Sequence, residues 1–169
     1  YGINNAWLQL PVAIFGSAIV AFIIGIICLR TSGIYFIMIT LAMTQLLYFL
    51  GISLETYGGD DGLPIDRSIF FEGFDLGDEV NIYYLIFVFL VITTTFSWRL
   101  INSRFGMVIR GTQENEMRML AIGFSTFREK LLAFMIAGSM CGLAGFLLAN
   151  LTEFVTPEYM HWFRSGEIM

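Results

Sequence analysis

Charged residues make up only 14% of this 169-residue chain, against roughly 25% in an ordinary soluble domain, and that shortage excludes a water-exposed globule. Histidine occurs once, at His161, and cysteine twice, at Cys28 and Cys141. Both cysteines fall inside apolar runs at a separation that matches no metal site, so they are expected to pack as small side chains and to carry no chemistry. His161 lies between Met160 and Trp162 with no cysteine or carboxylate at ligand spacing, which makes it a structural residue and leaves no metal site. The chain has no phosphate-binding glycine loop, no paired-histidine zinc motif and no serine–histidine pair within an apolar run. No catalytic residue is therefore expected, and neither ATP hydrolysis by this chain nor intramembrane hydrolysis. Tyr1 begins the sequence without a basic leader region or a cleavage site, so the chain is expected to be a piece of a longer protein.

What is abundant is apolar surface, at 57% of residues. Four runs, 8–29, 34–54, 80–98 and 131–151, contain no Asp, Glu, Lys, Arg or His. At about 1.5 Å per helical residue, a run of roughly 20 residues crosses a hydrocarbon core of ~30 Å. The expected fold is all-α, a polytopic transmembrane helix bundle with about four spans, forming a single but partial membrane domain over 1–169. Two faces of small residues at i+4 spacing, Ser17, Ala21 and Gly25 in the first run and Ala137, Cys141, Gly145 and Ala149 in the last, flanked by Gly138 and Gly142, predict close helix packing. Pro11 is expected in the first turn of its helix, where its missing N–H would cost little.

The charge that exists is divided between two segments. Residues 53–80 carry eight acids and one arginine, whereas 99–130 carry six bases (Arg99, Arg104, Arg110, Arg118, Arg128, Lys130) against three acids. Basic residues beside spans are retained in the cytoplasm. This assigns 99–130 to the cytoplasm and 55–79 to the outside. Tyr83 and Tyr84 at one boundary and Trp98 at the other fit an aromatic belt. The outer loop is rich in Gly and Asp and predicts turns, with a short hairpin around 69–74. Its Gly58-Gly59-Asp60-Asp61-Gly62 run lacks the second carboxylate cluster that metal-dependent chemistry needs.

Inside the basic segment, Thr112 is expected to cap a helix, Glu114 and Glu116 to complement its N-terminal dipole, and Gly123 to end it. Met117, Leu120 and Ala121 then form an apolar stripe, and Glu114 and Arg118 an i,i+4 pair. Two readings stay open, a connector lying on the lipid headgroups and a docking helix for another protein. Thr126 and Glu129 have capping-box spacing, which places the next helix start there.

Thr40, Thr44 and Tyr48, with Gln45 beside them, set hydroxyl and amide groups at membrane depth. They form either part of a solute path or a set of hydroxyls bonded back to their own helix, with Gln45 joining two helices. Three function classes follow: a subunit of a primary transporter, a self-contained channel or secondary transporter, and an intramembrane enzyme. The missing catalytic pairs lower the third. The absence of ionisable groups within the runs lowers a proton-driven carrier, and the absence of a phosphate loop requires any ATPase to be a separate chain docking at 99–130.

The runs LRTSGIYFIMITLAMTQLLYF, YGGDDGL, SRFGMVIRGTQENEMRMLAIGFSTFREKLLAFMIAGSMCGLAGFLLA and FVTPEYMHWFRSGEIM, in this order across 30–169, resemble the LivM-type permease subunit of branched-chain amino acid ABC importers. Most specific are the Gly-Gly-Asp-Asp-Gly-Leu loop, the Arg-x-x-x-Glu-Asn-Glu run and the Ser-Gly-Glu ending. The resemblance implies a multi-pass permease of the bacterial inner membrane, with no nucleic-acid partner. It would pair with a second permease subunit, two ATP-binding subunits that hold the ATP and magnesium, and a periplasmic solute-binding protein facing the outer loop. It also implies a coupling-helix part for Glu114, Asn115, Glu116, Arg118, Leu120 and Gly123, and further spans before and after this stretch. Urea or amide permeases of the same superfamily share much of the basic motif, and Asp60-Asp61 between the glycines looks closer to the amino-acid branch.

The charge division generates a topological prediction. In the full-length protein, an impermeant thiol reagent applied to intact cells labels Ser68→Cys and leaves Ser103→Cys unlabelled. The opposite pattern reverses the orientation.

Overall fold

The computed structural model describes residues 6–53, 62–64, 79–156 and 159. Its elements in chain order are α1 (Ala6–Cys28), α2 (Ile34–Ser53), β1 (Leu63–Pro64), α3 (Glu79–Ile101), α4 (Arg104–Glu114), α5 (Glu116–Ala121), α6 (Thr126–Thr152) and β2 (Phe154–Val155). Helices α1, α2, α3 and α6 are each long and apolar enough to cross a membrane, and they match the four predicted runs, except that α1 begins at Ala6 and carries Pro11 inside the helix rather than in its first turn. The chain is an all-α multi-pass membrane protein. These helices are apolar around their whole circumference, the pattern of a span rather than of a helix lying half in water. Large side chains such as Phe15 and Ile19 on α1, Ile37 and Phe49 on α2, and Val88 and Ile92 on α3 are accordingly exposed on the bundle surface.

The tightest packing joins α1 to α6 in antiparallel register. A Cβ at Gly25 would meet Leu131 and Phe134 at 2.8 and 3.1 Å, one at Gly138 would overlap the Ala21 methyl, and one at Gly142 would overlap the Ser17 hydroxyl. Ser17 donates that hydroxyl to the Ile14 carbonyl, 2.9 Å away within its own helix, so the polar group is satisfied at the contact. The small face predicted on α1 is therefore the one used. On α6 the seam lies one position away from the predicted face: Gly138 and Gly142 make it, while Ala137, Cys141 and Gly145 are exposed and Gly145 faces open space. The physical reason is the closeness of approach, since only residues without a Cβ fit against Ser17 and Ala21.

Helix α2 has no buried residue, and among the α3 residues whose burial is described only Ile82 is buried. The chain passes from α1 to α2 through a turn in which Thr31 donates its hydroxyl to the Cys28 carbonyl at 2.8 Å. Beside α6, α3 leaves a cleft of about 350 Å³ lined by Ile86, Phe89, Thr93, Met140, Leu143 and Leu147 among others. At its far end α6 stops at Glu153, whose backbone is left-handed with φ of 54°. Its N–H donates to the Ala149 carbonyl at 3.0 Å. Strand β2 then pairs antiparallel with β1, Leu63 opposite Val155 and Pro64 opposite Phe154. That pairing puts Leu63 and Pro64 at the same end of the bundle as the chain leaving α6, the arrangement expected of two segments on one side. The predicted hairpin at 69–74 and His161 lie outside the described residues.

The seam yields a stability prediction. In the purified protein, Gly142→Val forces the α1 and α6 backbones apart and lowers the unfolding midpoint, by overpacking of about 1–3 kcal/mol. Gly145→Ala, with open space around it, leaves the midpoint unchanged or raised. An unchanged midpoint in Gly142→Val would refute the register.

Candidate coupling site at the basic end of the bundle

After Ile101 the chain turns through Asn102 and Ser103, and Ser103 caps α4. Its hydroxyl donates to the Leu100 carbonyl at 2.6 Å and accepts from the Gly106 N–H at 3.4 Å. Helix α4 runs to Glu114, and Thr112 is a buried residue of its last turn, its hydroxyl donating to the Val108 carbonyl at 2.8 Å. The predicted cap at Thr112 is thus incorrect. The helix break falls at Asn115, whose N–H closes α4 on the Gly111 carbonyl at 3.0 Å and whose side-chain oxygen accepts the Arg118 N–H at 3.0 Å. Threonine inside a helix can satisfy itself on the carbonyl one turn back, whereas asparagine favours the cap geometry.

This break divides the predicted single helix in two. Glu114 ends α4 rather than opening a helix, and only Glu116 lies in the first turn of α5. Glu114 and Arg118 consequently sit on successive helices, and the predicted i,i+4 pair is replaced by a tertiary one. Glu116 Oε1 accepts from Lys130 Nζ at 2.7 Å and from the Thr126 hydroxyl at 3.0 Å. These bonds, the Lys130 bond foremost, hold the Glu116 carboxyl below the usual carboxylate range. Thr126 opens α6, as predicted, but Ser125 occupies the cap position and makes no side-chain cap bond. The capping-box role for Thr126 is therefore incorrect, because its hydroxyl is already committed to Glu116.

Gly123 does end the segment. Ile122 follows α5 as its cap, and Gly123 then takes a left-handed backbone with φ of 98°, a conformation that favours glycine. The inward residue of α5 is Met119, whose sulfur would lie 2.8 Å from a Cβ at Gly111. The predicted stripe points the other way: Met117 is 76% exposed and Leu120 48%, and Ala121, Ile122 and Phe124 are exposed beside them. Next to this face, Met107, Val108, Met119, Phe124 and Arg104 line a cleft of about 420 Å³.

The other predicted residues are arranged as follows. Thr40, Thr44, Gln45 and Tyr48 are half-buried along α2. The Thr40 hydroxyl donates to the Phe36 and Ile37 carbonyls at 3.0 and 2.9 Å, and the Thr44 hydroxyl to the Thr40 carbonyl at 2.9 Å. Self-satisfaction of the hydroxyls is thus present, while their oxygens keep acceptor capacity. Of the glycine-aspartate run only Gly62 is described, since 58–61 lie outside the described residues. Its φ is 76°, and a Cβ there would stand 2.7 Å from the Val155 carbonyl oxygen, so glycine is required where this loop meets β2. Sequence reasoning missed Thr126 and Lys130 as partners of Glu116, because contacts across ten and fourteen residues between two separate helices follow no helical spacing.

A family model described as "Branched-chain amino acid transport system / permease component" matches residues 1–166. The high-affinity branched-chain amino acid transport system permease protein LivM of Salmonella typhimurium is 29% identical to this chain over 193 aligned residues. That alignment covers 100% of the chain and 45% of the relative. LivM of Escherichia coli is 28% identical with the same coverage. The chain therefore spans less than half the length of these curated relatives. No solved structure matches it.

Proposed function

The chain belongs to the permease-component family of branched-chain amino acid transport systems, and from that premise we propose that it is part of an inner-membrane ABC importer permease moving branched-chain amino acids. In this reading ATP is hydrolysed, with magnesium, on two separate subunits that dock at the basic end. A second permease subunit completes the pathway, and a periplasmic binding protein delivers solute at the acidic end. Thr40, Thr44, Gln45 and Tyr48 border the solute path, where lone pairs on the Thr oxygens and the Gln45 amide suit the polar end of an amino acid.

The observation that carries the docking assignment is the outward face of α5. A helix of six residues exposes Met117 and Leu120 with Ile122 and Phe124 beside them, while its carboxylate at Glu116 is bound inward. Membrane-surface binding grows with buried apolar area, and one short turn-and-a-half offers little of it. A helix pinned to the bundle and apolar outward suits a protein groove instead.

Two outcomes follow. Leu120→Asp and Met117→Asp, on the exposed face, reduce co-purification of the ATPase subunits with the full-length permease at normal membrane abundance, because an unpaired charge in an interface costs several kcal/mol, about a hundredfold in affinity or more. Wild-type yields from both would remove the docking role. In the second, Thr44→Val and Gln45→Leu change the uptake kinetics of branched-chain amino acids at normal abundance, and unaltered kinetics in both would leave these residues a packing role only.

A further inference from the structure

The covalent connection between α5 and α6 runs through Ile122, Gly123, Phe124 and Ser125, all exposed, with Gly123 left-handed. This link, closed by the Gly123 N–H on the Leu120 carbonyl at 3.0 Å and the Phe124 N–H on the Met119 carbonyl at 3.1 Å, attaches only the C-terminal end of α5 to α6. The other end follows Asn115 directly from α4, and side chains join it to α6. Glu116, the first residue of α5, receives the Thr126 hydroxyl at 3.0 Å and the Lys130 ammonium at 2.7 Å. Thr126 and Lys130 are one turn apart on α6, hence on one face, and Thr126 is only 4% exposed. Helix α5 is thus attached to α6 at both of its ends.

We propose that the Glu116–Thr126–Lys130 cluster is the strut that makes α5 and α6 move as one body, with Glu116 a positioning residue that transmits displacement of α5 into the membrane. The proposal rests on the docking reading and adds to it the route by which docking is felt by the spans. Without the strut, a push on α5 would reach α6 only through the Gly123 link and indirectly through α4, to which α5 is joined at Asn115. With the strut, the same push reaches the start of α6, and the glycine seam of Gly138 and Gly142 against Ala21 and Ser17 carries it to α1. Helices α2 and α3 are packed less tightly on that pair, α2 having no buried residue. The motion is shared because interfaces this close admit discrete arrangements rather than gradual sliding.

The test uses the full-length permease assembled with its second permease and ATPase subunits in proteoliposomes, reading complex yield and solute transported per ATP hydrolysed. Glu116→Gln, Lys130→Met and Thr126→Val are expected to assemble with unchanged yield and to transport about fivefold less per ATP, or lower still, the lower end of an ordinary coupling energy. Lys130→Arg keeps wild-type stoichiometry. Exchanging the charges, Glu116→Lys together with Lys130→Glu, restores most of what each single change loses, which separates loss of the pair from loss of either side chain alone. Unchanged transport per ATP in Glu116→Gln and Thr126→Val overturns the strut, as does an exchange variant no better than the single ones. Loss of complex in Glu116→Gln overturns it too, by placing that carboxylate on the docking surface. Failure of the docking reading itself is seen separately, as wild-type complex yield in Leu120→Asp.

Discussion

Between two apolar helices in a bilayer, burial away from water contributes almost nothing, because lipid tails are as apolar as leucine; pairing rests on how closely the backbones approach. The α1–α6 seam meets that condition and the rest of the bundle is arranged about it. Gly138 against Ala21 and Gly142 against Ser17 leave no room for a Cβ, so dispersion contacts extend along both backbones. The Ser17 hydroxyl, which Gly142 faces, is turned onto Ile14 in its own helix. Where glycine is missing from the contact, as between α3 and α6, a cleft lined by Phe89, Leu143 and Leu147 opens instead. Its walls are those of a helix-packing or lipid-facing groove, since Thr93 is its polar exception and donates its hydroxyl to Phe89 and Leu90.

The spans were legible because length and apolarity are properties of a single segment. Ser17, Ala21 and Gly25 were legible because they form the one small face on α1. On α6 two series of small residues run side by side, and periodicity had no means of choosing between Ala137-Cys141-Gly145 and Gly138-Gly142. The choice is made by the partner helix, which is information about two segments at once. The basic segment shows the same division. A helix with charged and apolar faces ending at Gly123 was foreseeable, whereas its start was displaced from Thr112 to Asn115 by competition between two polar side chains for backbone groups. Which of them caps depends on whether the earlier one can bond the carbonyl behind it, as Thr112 does with Val108.

Charge pairing followed contacts rather than spacing. Glu114 and Arg118 had the helical interval, but an interval confers proximity only within one helix. Once Asn115 breaks the helix, Glu116 rather than Glu114 meets α6, and Lys130 and Thr126 converge on it. An isolated exposed ion pair contributes little to stability. Its consequence here is geometric, because it closes a loop of chain from residue 116 to residue 130 and gives a six-residue helix a defined direction. The opposite end of the bundle shows the same economy of means, where Gly62 and Glu153 adopt left-handed backbones that let two short strands meet.

A polar path within a membrane has to be tolerable when it is empty. A hydroxyl left without a partner among lipid tails or packed side chains carries a desolvation penalty, so residues meant for a solute need an alternative bond that does not consume their whole capacity. Thr40 and Thr44 have one: each donates its proton to a carbonyl of its own helix, one turn back. Each oxygen keeps lone pairs. Under the proposed path role, an ammonium group arriving at α2 would gain acceptors without first breaking a bond within the helix. The same back-bonding that makes these threonines acceptable as packing residues therefore also makes them acceptable as a path. The two roles differ in what faces the oxygens rather than in the helix that carries them.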